Sequence, residues 1–70
     1  MNPDQLVNLL SRWLARHVGD DELRAALDDV EGLSEEQREA VDDLRTRLDS
    51  GERGEVERAV REALEALALG

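Results

Sequence analysis

Residues 20–43 read DDELRAALDDVEGLSEEQREAVDD, and this stretch decides the fold. Leu23, Ala26, Leu27 and Val30 fall at i, i+3, i+4 and i+7, the spacing that gathers apolar side chains on one helix face. Asp20, Asp21 and Glu22 stand ahead of them, where the N-terminal dipole favours acids. Gly32 follows as a left-handed C-terminal residue, with Leu33 placed to fold back on Leu27. Ser34 then opens another helix, and Gln37 three residues later completes a capping-box pattern. Two amphipathic helices and their corner are thus written into one continuous segment.

The same segment carries the charge. It holds eleven acidic residues against two arginines, which matches the formal net charge of −9 for the whole chain. Residues 1–19 sum to +1 and residues 44–70 to −1. A surface so dense in one sign repels nucleic acid and anionic membrane, and it favours cationic partners.

Upstream, Asn2 is placed to cap, Pro3 suits the first helical position, and Gln5 stands three residues after the cap. Leu6, Leu9, Leu10, Trp13 and Leu14 follow, with Val7 and Val18 beside them, a wider apolar face than a helix normally buries. Gly19 is expected to end that helix, after His17 at the negative end of the dipole. Downstream, Ala40, Val41, Leu44 and Leu48 form a narrow stripe that Ser50 and Gly51 stop. After the link Gly51-Glu52-Arg53-Gly54, a last helix buries Val56, Ala59, Val60, Ala63, Leu64 and Leu67. Glu57 with Arg61, and Arg61 with Glu65, are spaced to pair along it.

No segment alternates with period two. The expected fold is all-α: a compact bundle of four short helices, mostly antiparallel and without a sheet, over about 3–18, 20–31, 34–50 and 53–68. Seventy residues form one helical domain, 1–70, near the lower size at which a core holds unaided. With no cysteine, neither a disulfide nor a thiolate metal site can help. The large apolar side chains are Leu, Val and one Trp, so a homo-oligomer would relieve a shortage of core. No signal peptide or spanning segment is visible, and a cytoplasmic location is expected. All nine basic residues are arginine, a composition expected of GC-rich bacterial coding.

Several chemistries fail on spacing. A calcium loop around Gly32 would need an oxygen ligand five residues before it and Glu six after, where Leu27 and Arg38 stand. A helix-turn-helix across the same corner would turn Glu35, Glu36 and Glu39 toward phosphates, the wrong sign for DNA. His17 shares its expected helix face with Trp13 and has no nucleophile placed beside it. The neighbouring pairs Asp28/Asp29 and Asp42/Asp43 point apart on a helix and do not converge on one atom. In size and acidity the chain resembles acyl carrier proteins, whose Asp-Ser-Leu at the start of the second helix carries phosphopantetheine. Here Asp49-Ser50 is followed by Gly51 at the end of the third helix, so Ser50 is the sole attachment point that resemblance offers.

These features point to a non-enzymatic interaction module with no catalytic, cofactor or metal residues. Asp28, Asp29, Glu35, Glu36, Glu39, Asp42 and Asp43 form the expected acidic docking surface for a basic or mixed-charge protein. Leu6, Leu9 and Trp13 are expected to add apolar contact, and Arg12 and Arg16, one turn apart, a basic edge. The second class is a homo-oligomerisation unit, in which that basic edge meets the acidic surface of another copy. A carrier-like domain is the third.

Overall fold

The computed structural model describes residues 1–69 and contains four α-helices: α1 (Pro3–Leu14), α2 (Asp20–Asp29), α3 (Glu35–Ser50) and α4 (Arg53–Leu69). Both capping boxes read from the sequence are formed. The Asn2 side chain accepts from the Gln5 N–H at 2.8 Å, and the Gln5 side chain accepts from the Asn2 N–H at 3.0 Å. Ser34 and Gln37 do the same at the start of α3, at 3.3 and 2.8 Å. Each satisfies backbone donors that a helix start leaves without partners.

The ends of α1 and α2 differ from expectation. α1 stops at Leu14, and the left-handed residue after it is Arg16 (φ 65°), not Gly19. The Arg16 N–H donates to the Trp13 carbonyl at 3.0 Å and the His17 N–H to the Arg12 carbonyl at 2.9 Å, the paired bonds of a Schellman turn. Gly19 instead becomes the N-cap of α2, with φ −85°. The early stop lets the chain reverse so that Asp20 Oδ1 accepts from Trp13 Nε1 at 2.8 Å and Val18 packs on the core.

α2 ends at Asp29, two residues before the expected position, and Val30 is extended and half-buried. A tertiary contact explains the stop. The Met1 amino group donates to the Asp29 carbonyl at 2.9 Å, and the Glu31 N–H donates to the Met1 carbonyl at 2.8 Å. Those two bonds hold the backbone straight where a further helical turn would coil it. Gly32 is left-handed as expected (φ 75°), but inside an extended link and not as the helix cap.

The helices alternate in direction. Trp13 at the end of α1 meets Asp20 at the start of α2, and Met1 meets Asp29 at the other end. Arg24 pairs with Asp49 and Asp28 with Arg45, so α2 runs antiparallel along the C-terminal half of α3. The link of Gly51 and Glu52 turns α3 into α4, the most extensive helix pair. That link needs glycine: a Cβ at Gly51 would lie 2.6 Å from the Arg47 carbonyl oxygen. α1 closes the ring on α4, while α1 and α3, like α2 and α4, sit across the diagonal without backbone contact.

One continuous core fills the ring. α1 gives Leu6, Leu10 and Trp13; α2 gives Leu23, Ala26 and Leu27; α3 gives Val41 and Leu44; α4 gives Val56, Ala59, Val60, Ala63 and Leu67. The radius of gyration, 10.6 Å, is close to the ~11 Å of a compact chain of this length. No described helix is long and apolar enough to cross a membrane.

Candidate functional site

The site begins with the outward side of α3. At 3.6 residues per turn, Glu35, Glu36, Glu39, Asp42 and Asp43 fall within an arc of about 120°. Gln37, Val41 and Leu44, the buried residues of the same helix, occupy the opposite arc. The core register of α3 therefore dictates where its carboxylates point. Glu35, Glu36, Glu39 and Asp42 are exposed, and among the described residues none forms an ion pair.

The other three acids of the expected docking surface are occupied. Asp28 pairs with Arg45, Asp29 with the Met1 amino group at 3.1 Å, and Asp43 with Arg47 at 2.9 Å. The hydrogen bond that Arg47 donates to Asp43, and then the charge of that carboxylate, raise the Arg47 pKa above the ordinary arginine value. Such exposed pairs add little stability, but they fix where these carboxylates sit and halve their local charge. The free acidic surface is thus narrower than the seven expected residues. It runs along α3, with Asp28 at its border through Arg45.

The apolar contribution of α1 is narrower too. Leu6 and Trp13 are 0% and 1% exposed, so both belong to this chain's own core and present no surface to a partner. Leu9 remains half-exposed. The expected basic edge is also divided: Arg12 is exposed on α1, whereas Arg16 has left the helix and lines a corner with Val18, Gly19, Asp20 and Arg53. At that corner the Arg53 guanidinium sits 4.6 Å from the Trp13 ring centroid, a cation–π contact joining the start of α4 to the end of α1. Trp13 is held from two sides, by a carboxylate on its N–H and a guanidinium on its face.

Elsewhere the polar groups serve local structure. His17 lies beyond α1, exposed, and not on a helix face shared with Trp13. Ser34 caps α3, and the Ser50 hydroxyl donates to the Thr46 carbonyl at 3.2 Å. Along α4, Glu57 pairs with Arg53 at 3.4 Å; among the described residues Arg61 pairs with neither Glu57 nor Glu65. No three His, Cys, Asp or Glu side chains among the described residues converge as metal ligands.

Sequence reading missed the residues that clasp α2 to α3. Residues 24–28 read RAALD and residues 45–49 read RTRLD, the same Arg-x-x-Leu-Asp pattern twice. Set antiparallel, each Arg meets the other segment's Asp, which is what Arg24–Asp49 and Arg45–Asp28 do. The repeated pattern was the available signal. Comparison with protein-family models, curated proteins and solved structures gives no match to this chain.

Proposed function

We propose that this chain is a non-enzymatic protein-interaction module that docks a basic protein segment against the carboxylates of α3. One observation carries the reading: Glu39 and Asp42 lie on the free arc with Glu35 and Glu36, and among the described residues neither makes an ion pair. Glu35 and Glu36 stand in the first turn, where the helix dipole stabilises acids. Glu39 lies beyond that turn and faces Glu35, Glu36, Asp42 and Asp43 three and four residues away, at a cost of a few tenths of a kcal/mol per contact, while Asp42 faces Glu39 and Arg38. A fold that accepts this repulsion on the side away from its core keeps a surface suited to cations. Charge of this kind speeds encounter and selects partners by sign.

The test replaces Glu35, Glu36, Glu39 and Asp42 with lysine and follows binding of a lysine- and arginine-rich helical peptide, together with partners cross-linked in the source cell. The wild type is expected to bind the peptide with an affinity that falls steeply with salt, and the variant to lose it while circular dichroism stays helical. Cross-linked partners are expected to be basic and to disappear with the variant. Binding that survives both charge reversal and high salt would remove the proposal.

A further inference from the structure

A cleft of mixed charge runs along the α1–α2 face, away from the α3 carboxylates. It consists of two adjoining depressions of about 540 and 300 Å³ that share Met1 and Leu9. Its α1 wall carries Asn8 and Arg12, and its α2 wall carries Glu22 and Ala25. Arg12 and Glu22 are exposed, and among the described residues neither makes an ion pair. They stand at the same end of the cleft, because the turn from Ala15 to Gly19 joins the end of α1 to the start of α2.

We infer that this cleft receives a second copy of the chain, in an isologous dimer whose two-fold axis runs parallel to the helices. That rotation lays α1 of each copy over α2 of the other. Heights along the helices are unchanged, so Arg12 of each copy faces Glu22 of the other, with the Leu9 side chains between the two pairs. A surface with a free cation on one helix and a free anion at the same level on the neighbouring helix is its own complement under this operation. A purely basic segment would bring like charge against Arg12.

α2 carries five acids against one arginine, so laying α1 of each copy over α2 of the other sets the least acidic stretch of the chain against an acidic helix. Residues 1–19 sum to +1, and α1 lies diagonally across the ring from α3. Pairing through α1 and α2 therefore keeps the two acidic arcs apart although each chain carries −9. Stable interfaces bury about 800 Å² per partner. Helices of 12 and 10 residues, about 18 and 15 Å long, offer a smaller face than that, so the dimer is weak and depends on concentration.

Sedimentation equilibrium on the intact chain, from about micromolar to millimolar concentration, reads the result directly. The mass is expected to rise from 7.8 kDa toward twice that value. Arg12→Glu and Glu22→Arg should each raise the dissociation constant about tenfold or more, and the double reversal should return it to within about threefold of wild type. Glu36→Arg on α3 should leave it unchanged. A monomer at every concentration overturns the inference, as does a dimer insensitive to the Arg12 and Glu22 reversals or not rescued by combining them. Leu9→Asp is a second probe, read only alongside circular dichroism because Leu9 also touches the core. The surface is separate from the α3 carboxylates, so loss of peptide binding and loss of self-association report on different proposals.

Discussion

α1 and α3 lie across the same ring and use their residues in opposite ways. α1 has 12 residues and completely buries Leu6, Leu10 and Trp13, and its neighbour α4 presses Arg53 onto the Trp13 ring. α3 has 16 residues but buries only Val41 and Leu44 among its apolar side chains, and its outward arc is given to carboxylates. The first region holds the fold by removing large apolar surface from water, and the second is held to it by a helical hairpin and by surface ion pairs. Folding energy concentrates at one end of this diagonal, which leaves the other end free to display charge.

The sharpest way to break that contrast is to delete the aromatic. Trp13→Ala should cost about 3–5 kcal/mol, because it empties the centre of the core and strands Asp20 and Arg53. In a chain of this size that is most of the stability, so urea titration should find the variant largely unfolded. Across the ring, a double-mutant cycle on Asp28 and Arg45 should give a coupling of at most about 1 kcal/mol, since Asp28 is largely solvated and Arg45 partly so. A coupling as large as the Trp13 loss would erase the difference between the two regions.

Capping should be the property the two share. Asn2→Ala and Ser34→Ala each remove a side-chain acceptor from a completed capping box, and each should cost about 1 kcal/mol by thermal or urea unfolding. A marked inequality would show that one helix start is held by tertiary contact rather than by its own cap.

These caps were readable because everything they need lies within four consecutive residues. The helix stops were not, and the reason is the same at both. Gly19 and Gly32 look like the left-handed residues that end helices, yet the chain turns at Arg16 and straightens at Val30. In each case a contact distant in sequence or beyond the turn decides: Asp20 reaching the Trp13 N–H, and Met1 exchanging backbone bonds with Asp29 and Glu31. The acidic arc of α3 was legible, since helical spacing alone sets it opposite Val41 and Leu44. Which acids are free was not legible, because Arg45 and the Met1 amino group come to Asp28 and Asp29 only through the tertiary fold. Leu6 and Trp13 looked available for a partner because the apolar face of α1 is wide; the ring of four helices covers them with Leu10 and leaves only Val7, Leu9 and Leu14 half-buried.

The Arg16 turn offers a smaller test on the α1 side. An L-residue with a side chain in the left-handed region costs about 1–2 kcal/mol, and glycine avoids this while giving up about 0.5–1 kcal/mol of chain entropy. Arg16→Gly should therefore stabilise the protein by about 0.5–1 kcal/mol, visible as a higher urea midpoint with an unchanged slope. A loss instead would mean that the Arg16 side chain contributes to the corner it shares with Asp20 and Arg53.

The smallest effect bears most directly on function. Glu39→Gln with Asp42→Asn removes two charges that form no ion pair among the described residues, and it leaves the buried arc of α3 untouched. Relief of the contacts Glu39 makes with Glu35, Glu36, Asp42 and Asp43 should raise stability by about 0.2–0.5 kcal/mol, more at low salt than at high, with the Asp42 change nearly neutral because it gives up Arg38 as well as Glu39. The same double substitution should weaken binding of a basic peptide. A change that strengthens the fold while weakening binding is the signature of residues retained for a partner. If stability instead falls, these carboxylates belong to the scaffold as α1's apolar residues do, and α3 ceases to be the contrasting half of the molecule.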